Sequence, residues 1–388
     1  MNWLISSFGL ILAIPTVILL VEVIVGCFGT PKIPLSSRRP KSLVIVPAHN
    51  EELGIGATAN LLKDQLAQDD LLLVVADNCT DQTASIARSC GAVVLERTNL
   101  DQRGKGFAIA AALVAAESIG PEVVIFVDAD CRLSPGAIEH LTRAVAANDT
   151  AIQASNNVEV SPNADPRAVL SMLAFIIKNT VRPAGLARLG FTVPLTGTGM
   201  AMPFSLAKAL PFNSGHLAED MELGLKLLSM GRIVKPTAQA SVYSTQPADP
   251  TVAMAQRRRW EHGHLDLIVR SGVPTIFGGI LRLSPRSVVA GFDLCVPPLA
   301  LLFVMLLIHL LISCFYLLMS GDALPAFLSL GLTSLLVIAV LFAKLTRAPK
   351  IPLSTLALVP LYILWKIPMY LRFFAGRKQS TWVRTDRV

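Results

Sequence analysis

The sequence predicts an α/β domain built on a mostly parallel sheet and flanked by transmembrane helices. Three observations predict it: apolar residues crowd the two ends of the 388-residue chain, the middle alternates short β-branched runs with Ala-rich stretches, and charge is spread unevenly between them. The averages carry information too. Hydrophobic residues make up 53% and charged residues 16%, with a mean hydropathy of +0.57. Soluble globular chains run to roughly 45–50% apolar even with Gly included, and about 25% charged. So apolar a chain is not disordered. Six Cys without a C-x-x-C pair provide neither a disulfide framework nor a zinc site, and the uneven charge argues against a pure transporter.

From Leu4 to Phe28 the chain is nearly continuous Leu, Ile, Val, Ala and Gly, interrupted by Pro15 and Glu22. About 25 such residues suffice to cross a hydrocarbon core of roughly 30 Å. A secretory signal would have a shorter core preceded by positive charge. Here no Lys or Arg precedes Lys32, while Lys32, Arg38, Arg39 and Lys41 follow the run. The positive-inside rule puts that flank in the cytoplasm, so residues 1–30 are expected to form a retained anchor with its N-terminus outside. A second apolar block covers residues 287–374 and breaks at Ser320-Gly321-Asp322 and at the basic loop 344–350. Its first two pieces have spanning length, with the Asp322 turn expected outside and the basic loop inside. The third piece, Ile351 to Phe374, contains Pro352, Pro360, Lys366 and Pro368 and runs into a basic tail, 375–388. Three full crossings would put that tail outside, against the rule. Either the third piece is re-entrant or interfacial, or the count of crossings is off by one.

Residues 31–286 have ordinary composition and are expected to fold as one cytoplasmic domain. Ser42–Pro47, Leu71–Ala76, Ala92–Leu95 and Val123–Val127 read as buried strands, and stretches near 51–68, 80–90 and 106–118 as helices. Strand, helix, strand at this spacing predicts right-handed βαβ units. In such sheets ligands bind beyond the carboxyl ends of the strands. The first strand runs into His49-Asn50-Glu51-Glu52, the second into Asp77-Asn78-Cys79-Thr80-Asp81 and the fourth into Asp128-Ala129-Asp130. Helix capping accounts for any one of these: Asn50 as an N-cap with Glu51 and Glu52 in the first turn, Asp77 or Thr80 capping the next helix. Acid-bearing ends on three strands of one sheet favour a site.

Taken in order, Val46-Pro47-Ala48-His49-Asn50-Glu51-Glu52, Asp77-Asn78-Cys79-Thr80-Asp81, Arg103-Gly104-Lys105-Gly106 and Asp128-Ala129-Asp130 resemble a family 2 glycosyltransferase of GT-A fold. Ala218-Glu219-Asp220 and Gln256-Arg257-Arg258-Arg259-Trp260 resemble the acidic base motif and the Q-x-x-R-W signature of membrane-embedded cellulose, chitin and hyaluronan synthases. A lone D-x-D arises often by chance; six elements in family order over residues 42–262 are specific.

The resemblance implies roles for particular residues. Asp128 and Asp130 are the implied metal pair, their hard oxygens suited to Mg²⁺ or Mn²⁺. Glu51 and Asp77 would hold the nucleotide base and ribose, with a UDP-sugar as the implied donor. Lys105, at a glycine-flanked helix start that suits anions, would join Asp128, Gln256 and Arg259 at the donor diphosphate. Asp220 is the implied general base, taking the acceptor hydroxyl's proton, with Glu219 and Trp260 on the acceptor side. The Gly197 and Gly199 turn resembles a segment lining that side, although a glycine-relieved strand explains it equally. Ordinary readings stand beside these. Glu219 and Asp220 could simply oppose a helix dipole, and residues near 250–272 could form an interfacial helix with Trp260 in the headgroup zone. For His262 and His264 a structural role is favoured over metal ligation.

The expected function is membrane-bound, metal-dependent, inverting transfer of a hexosyl or N-acetylhexosaminyl unit from a nucleotide sugar. The acceptor would be a glycan or lipid at the cytoplasmic face of a bacterial inner membrane, in polysaccharide or glycolipid synthesis. The rival is a non-catalytic, membrane-anchored nucleotide-sugar binder. Only one spanning segment precedes the domain and the C-terminal block is short for a polymer channel, which favours adding one or a few sugars to a lipid. The net charge of +7 sits largely beside apolar segments, so the lipid bilayer rather than nucleic acid is the expected partner. The sequence leaves the oligomeric state open. The six Cys read as reduced thiols, Cys79 and Cys131 lying beside the proposed site and neither serving as nucleophile.

Overall fold

The computed structural model describes residues 2–161, 164–213, 216–247 and 249–376; Arg377, Lys378, Arg384 and Arg387 of the basic tail lie outside them. After α1 (Asn2–Gly26), the strands β1 (Ser42–Ala48), β2 (Leu71–Asp77), β3 (Val93–Arg97) and β4 (Val123–Phe126) alternate with α2 (Ile55–Lys63), α3 (Thr83–Ser89) and α4 (Lys105–Ala115). All four strands are parallel where they pair. Central strands covered on both faces need apolar residues at every position, and this produces the unbroken Val, Ile and Leu runs of β1, β2 and β4. The crossover helices bury one stripe each, Ile55, Ala59 and Leu62 on α2 and Ala108, Ile109 and Ala112 on α4.

The sheet continues through β5 (Cys131–Leu133), α5 (Ala137–Asn148), β6 (Ile152–Glu159), then α6 (Pro166–Ile176), α7 (Arg182–Arg188), β7 (Met200–Pro203), α8 (Phe204–Lys208), α9 (Glu219–Ser229) and β8 (Lys235–Thr245). The order of its eight strands is β3-β2-β1-β4-β7-β6-β8-β5. β7 runs antiparallel to both β4 and β6, and β5 antiparallel to β8. The chain steps outward from β1 to β3 and then returns to lay β4 on the other side of β1. That reversal opens a crevice at the carboxyl ends of β1 and β4. Val44, Val46, Val74 and Ile125 pack with Ile138 and Leu141 of α5 beneath it.

The described residues divide into two compact units, one drawn from 30–161 and 192–260, the other from 2–29, 164–191 and 261–376. This differs from the single domain expected over 31–286. The segment Pro166–Arg188 is a 23-residue apolar helix, continuous through the five-residue π-helical turn Ile177–Val181. Arg167, Lys178, Arg182 and Arg188 dilute its hydropathy and hid it within the ordinary composition of the middle. Strands on both sides of it belong to one sheet, since β6 pairs with β7 and β8.

The helical unit contains α1, α6, α7, α11 (after α10, Pro250–Leu267, which enters it at Glu261; α11 is Val273–Leu281), α12 (Pro285–Leu294), α13 (Leu299–Ser320), α14 (Leu324–Arg347) and α15 (Val359–Phe374). Among the described residues five segments, those of α1, α6–α7, α13, α14 and Leu353–Phe374, are long and apolar enough to cross a membrane, the composition of an integral membrane protein. The last consists of a 3₁₀ turn, Leu353–Leu358, and the 16 residues of α15. At 1.5 Å per residue α15 is about 24 Å long, short of a roughly 30 Å core. Leu12, Leu19 and Val23 of α1 pack among Leu302, Leu306, Leu332 and Leu336. Glu22, the awkward acid of the first apolar run, accepts from Arg182 Nε at 2.6 Å, and Arg182 Nη2 donates to Asp293 Oδ1 at 2.5 Å. Buried charge is tolerated when paired in this way. Backbones approach closely here: a Cβ on Gly26 would stand 1.9 Å from the Val181 carbonyl oxygen, and one on Gly185 2.0 Å from that of Glu22.

Candidate functional site

After β1 the backbone turns sharply at Asn50, whose φ is +55°, and the next helix starts only at Ile55. Asn50 is therefore not the N-cap that the sequence allowed. Its carboxamide instead accepts from Thr80 N at 2.7 Å and donates to Thr80 Oγ1 at 3.2 Å, tying the loop after β1 to the loop after β2. Asp77 and Thr80 do not cap α3 either. Asp81 accepts from Thr83 N at 3.0 Å and from Thr83 Oγ1 at 2.6 Å, and Thr83 Oγ1 in turn accepts from Glu51 N at 2.8 Å.

Asp77, at the end of β2, accepts from Arg97 Nη1 at 2.6 Å, and the same nitrogen donates to the Gln102 carbonyl at 2.8 Å. Arg97 escaped the sequence reading. Its signal is the parallel register that sets it beside Asp77 on the neighbouring strand. It links the acid of β2 to the loop that delivers Lys105.

Lys105, the first residue of α4, pairs with Asp128 Oδ1 and donates to the Gly197 carbonyl at 2.8 Å. Burial works against its charge, but Asp128, then Glu219 and Asp220, outweigh burial and raise its pKa. Asp128 itself lies just past β4, with its N–H donated to Thr198 Oγ1 at 3.1 Å. Gly197 has φ +82°, and a Cβ there would stand 3.2 Å from Asp220 Oδ2 and 3.5 Å from Lys105 Nζ. The Lys105 ammonium and the Asp220 carboxylate thus meet at this glycine. The turn is held from β6: Gln153 Nε2 donates to the Thr198 carbonyl at 2.9 Å, Thr196 N donates to Gln153 Oε1 at 3.0 Å, and Asn156 Nδ2 donates to Thr196 Oγ1 at 3.1 Å. Gly197 belongs to this cluster, whereas Gly199, at φ +64°, would put a Cβ 3.0 Å from Ala154 Cβ and from Val242 Cγ1, so there the glycine relieves close packing at the start of β7.

Glu219 and Asp220 open α9. Burial pushes the Glu219 carboxyl up to about 8; Lys105 opposes the shift, Asp220 and Asp128 add to it, and the Gly106 N–H bonds to it at the start of α4. Arg259 on α10 is lowered by burial, against the pull of Asp128 and Glu219, and so belongs to the same group. Gln256, one turn earlier on the same face, is buried, whereas Trp260 keeps 37% of its surface exposed.

Asp128, Asp130 and Cys131 bring one donor atom each within 4.8 Å of one another. Burial, followed by the Asp128 charge, pushes the Cys131 thiol up to about 12, with Glu51 adding a smaller push. The protonated sulfur, which donates to Asp130 Oδ1 at 3.4 Å, is a poor ligand. Two hard carboxylates remain, a donor set that fits Mg²⁺ or Mn²⁺ rather than zinc. The structure thus groups Lys105, Asp128, Glu219, Asp220 and Arg259, with Asp130 and Glu51 around Cys131. Asp77 stands at the end of β2, two strands from β4. His262 and His264 are buried in the helical unit, their Nε2 atoms bonded to the Met369 and Leu294 carbonyls at 3.1 Å, a structural use of both.

A family model described as "glycosyltransferase like family 2" matches residues 40–263, more than half of the chain, and the protein belongs to that family. The chain is 27% identical over 245 residues to the probable glycosyltransferase YdaM of Bacillus subtilis, covering 60% of this chain and 57% of that one. It is 31% identical over 122 residues to the low-salt glycan biosynthesis hexosyltransferase Agl6 of Haloferax volcanii, covering 31% of this chain and 28% of that protein. It therefore spans less than two thirds of the length of these curated relatives. Among solved structures it resembles the mannosyltransferase PcManGT of Pyrobaculum calidifontis, solved with GDP-Man and Mn²⁺. The TM-score is 0.56 at 18% identity, covering 88% of this chain and 99% of that one. The likeness is one of fold, and the α/β unit has the GT-A architecture.

Proposed function

We propose that the protein is a membrane-bound, metal-dependent, inverting glycosyltransferase that moves a sugar from a nucleoside-diphosphate donor, with a UDP-sugar first in line, to a lipid or glycan acceptor. The observation that carries this reading is the convergence of Lys105, Asp128, Glu219, Asp220 and Arg259 at the crevice of a family 2 glycosyltransferase. The mannosyltransferase of like fold, solved with a nucleotide sugar and Mn²⁺, supports the same chemistry.

In this reading Asp128 and Asp130 hold Mg²⁺ or Mn²⁺, which when bound supplies positive charge to the diphosphate leaving group. Lys105 and Arg259, cations set in a partly dry site, balance the rest of that charge as the glycosidic bond breaks. Asp220 takes the proton of the acceptor hydroxyl while its oxygen attacks the anomeric carbon from the face opposite the leaving group. Glu219, with its carboxyl pushed up to about 8, is largely protonated at neutral pH, accepts the Gly106 N–H and adds no further negative charge to the acidic cluster. Glu51 and Asp77 bind the nucleoside, and Trp260 offers its exposed face to the acceptor. The catalytic unit faces the cytoplasm, and α1, α13 and α14 cross the membrane. A compact helical unit suits transfer to a lipid better than extrusion of a polymer.

The test is Asp220→Asn in purified full-length protein in liposomes. Transfer should fall by about 10²–10⁴-fold, the range a general base contributes, while binding of the nucleoside diphosphate with Mn²⁺ persists. Undiminished turnover would remove Asp220 as the base, and a wild-type protein that binds the donor without transferring sugar would favour the non-catalytic binder.

A further inference from the structure

We propose that the hairpin of α11 and α12 docks on an anionic phospholipid leaflet, with its leucine tip among the acyl chains and Arg282 and Arg286 at the lipid phosphates. The inference rests on the proposed function only in taking α13 as a crossing; sugar transfer plays no part in it. Every residue it uses belongs to the helical unit.

The π-helical turn Ile268–Gly272 runs into α11, and α12 returns after a turn at 282–284. Glycines line the inside of this hairpin. A Cβ on Gly279 would stand 2.7 Å from Val288 N, and one on Gly291 2.8 Å from Ile276 N, so the two backbones lie close together. Large side chains cover the outside. Val269, Val273, Phe277, Ile280 and Leu281 recur at the three- and four-residue spacing of one helix face, and all are exposed. This inverts the pattern of an amphipathic helix in water, whose large apolar residues face its partner. The stripe ends at Leu281 and Leu283, 83% and 90% exposed. Leu283 has φ +51°, a left-handed conformation that strains a leucine and would suit a glycine. Single exposed leucines are ordinary, whereas a continuous apolar stripe marks an interaction surface.

Charge and connectivity identify what covers it. Residues 267–292 contain Arg270, Arg282 and Arg286 and no acid. Arg270 pairs with Asp266 at 2.7 Å. Arg282 and Arg286 are exposed and have no side-chain partner among the described residues. Arg286 lies in the first turn of α12, where no acid opposes the positive end of the helix dipole. An apolar face with a cationic rim fits an anionic leaflet, the helix lying in the interface and its arginines meeting the phosphates. At 1.5 Å per residue α11 and α12 measure about 14 and 15 Å, too short to cross a core of roughly 30 Å. Residues 295–298 alone separate α12 from α13, which holds the hairpin within about 14 Å of chain from a crossing helix.

The test places the full chain, one copy per nanodisc, in phosphatidylcholine alone or with about 30% phosphatidylglycerol. It reads hydroxyl-radical labelling of individual side chains by mass spectrometry. In the anionic discs Phe277, Leu281 and Leu283 should label about fivefold more slowly than Leu100, which is 63% exposed. That protection should fall about threefold in phosphatidylcholine discs, and equally in anionic discs when Arg282→Gln and Arg286→Gln are combined. Leu283→Gly should raise Tm by relieving the strained turn, yet speed labelling of Leu281 about twofold; a leucine serving only the fold would lower Tm when lost. The comparison between lipids needs no substitution and stands even if a variant fails to fold. Labelling at the Leu100 rate in both lipids would overturn the proposal, as would protection indifferent to lipid charge. Protection that appears only with two chains per disc would overturn it in favour of a second copy as the occupant. Absent sugar transfer with charge-dependent protection intact would count against the proposed function alone.

Discussion

Replacing Glu219 by Gln removes one ionisable group while keeping its shape and an acceptor for the Gly106 N–H. The carboxyl is raised from 4.5 to about 8, first by burial and then by Asp220 and Asp128 against the opposing charge of Lys105. Between those two values the folded chain keeps a proton that the unfolded chain has released. Stability is therefore fully present below about pH 4.5 and is lost as pH rises toward about 8. Across pH 6 to pH 8 the linkage is about 2 kcal/mol, at roughly 1.4 kcal/mol per unit of displacement. The Gln variant carries no such dependence, so its advantage over the wild type should widen by that amount as pH is raised from 6 to 8. For a domain of this size about 2 kcal/mol corresponds to roughly 4–8 °C in Tm. Thermal unfolding of both proteins in chelator-containing buffer at the two pH values measures the gap. A gap that stays constant with pH, or widens in favour of the wild type, would refute the argument that Glu219 is buried among acids and protonated at neutral pH.

Gly197→Ala should fold but lose most transfer activity, because φ +82° disfavours a side chain and the new Cβ would press on Asp220 Oδ2 at 3.2 Å. The conformational cost is about 1–2 kcal/mol, and a fully active variant would dissociate that turn from the site. Iodoacetamide at pH 8 should leave Cys131 unmodified, since its thiol is pushed up to about 12 and only the thiolate reacts. Mass spectrometry of the treated protein checks this, and stoichiometric labelling of Cys131 would contradict it. Arg97→Met should weaken nucleotide binding several-fold and also lower Tm, since Arg97 holds Asp77 and the Gln102 carbonyl at once and its loss strands the buried Asp77 carboxylate; an isothermal titration with UDP and a thermal melt read the two changes.

The first half of the sheet was legible because parallel central strands leave a plain trace. Val44–Val46, Leu72–Val75 and Val123–Phe126 are apolar at every position and each is followed by acids. The second half was not. β6 contains Gln153, Ser155, Asn156 and Asn157, polar residues that look like a loop until Gln153 and Asn156 are seen holding the Thr196–Thr198 turn. The α6–α7 segment was missed because four basic residues, Arg167, Lys178, Arg182 and Arg188, break its apolar run. Asn50 read as a cap because capping and tight turns favour the same residue type, and only the backbone dihedral distinguishes them. The acids of the site were visible as motifs. Arg97 and the Gly197 carbonyl depend on strand register and loop packing, which no local pattern encodes.

The central claim, that this crevice transfers sugar from an activated nucleotide, is tested most directly by the purified full-length protein in liposomes. It would be offered UDP- and GDP-linked hexoses and N-acetylhexosamines with Mn²⁺, with Mg²⁺ and with chelator, while release of the nucleoside diphosphate is followed. The account predicts release from at least one donor, dependent on the divalent ion and lost in Asp128→Asn. Release that persists undiminished in chelator and in that variant, or no release from any donor, would contradict it.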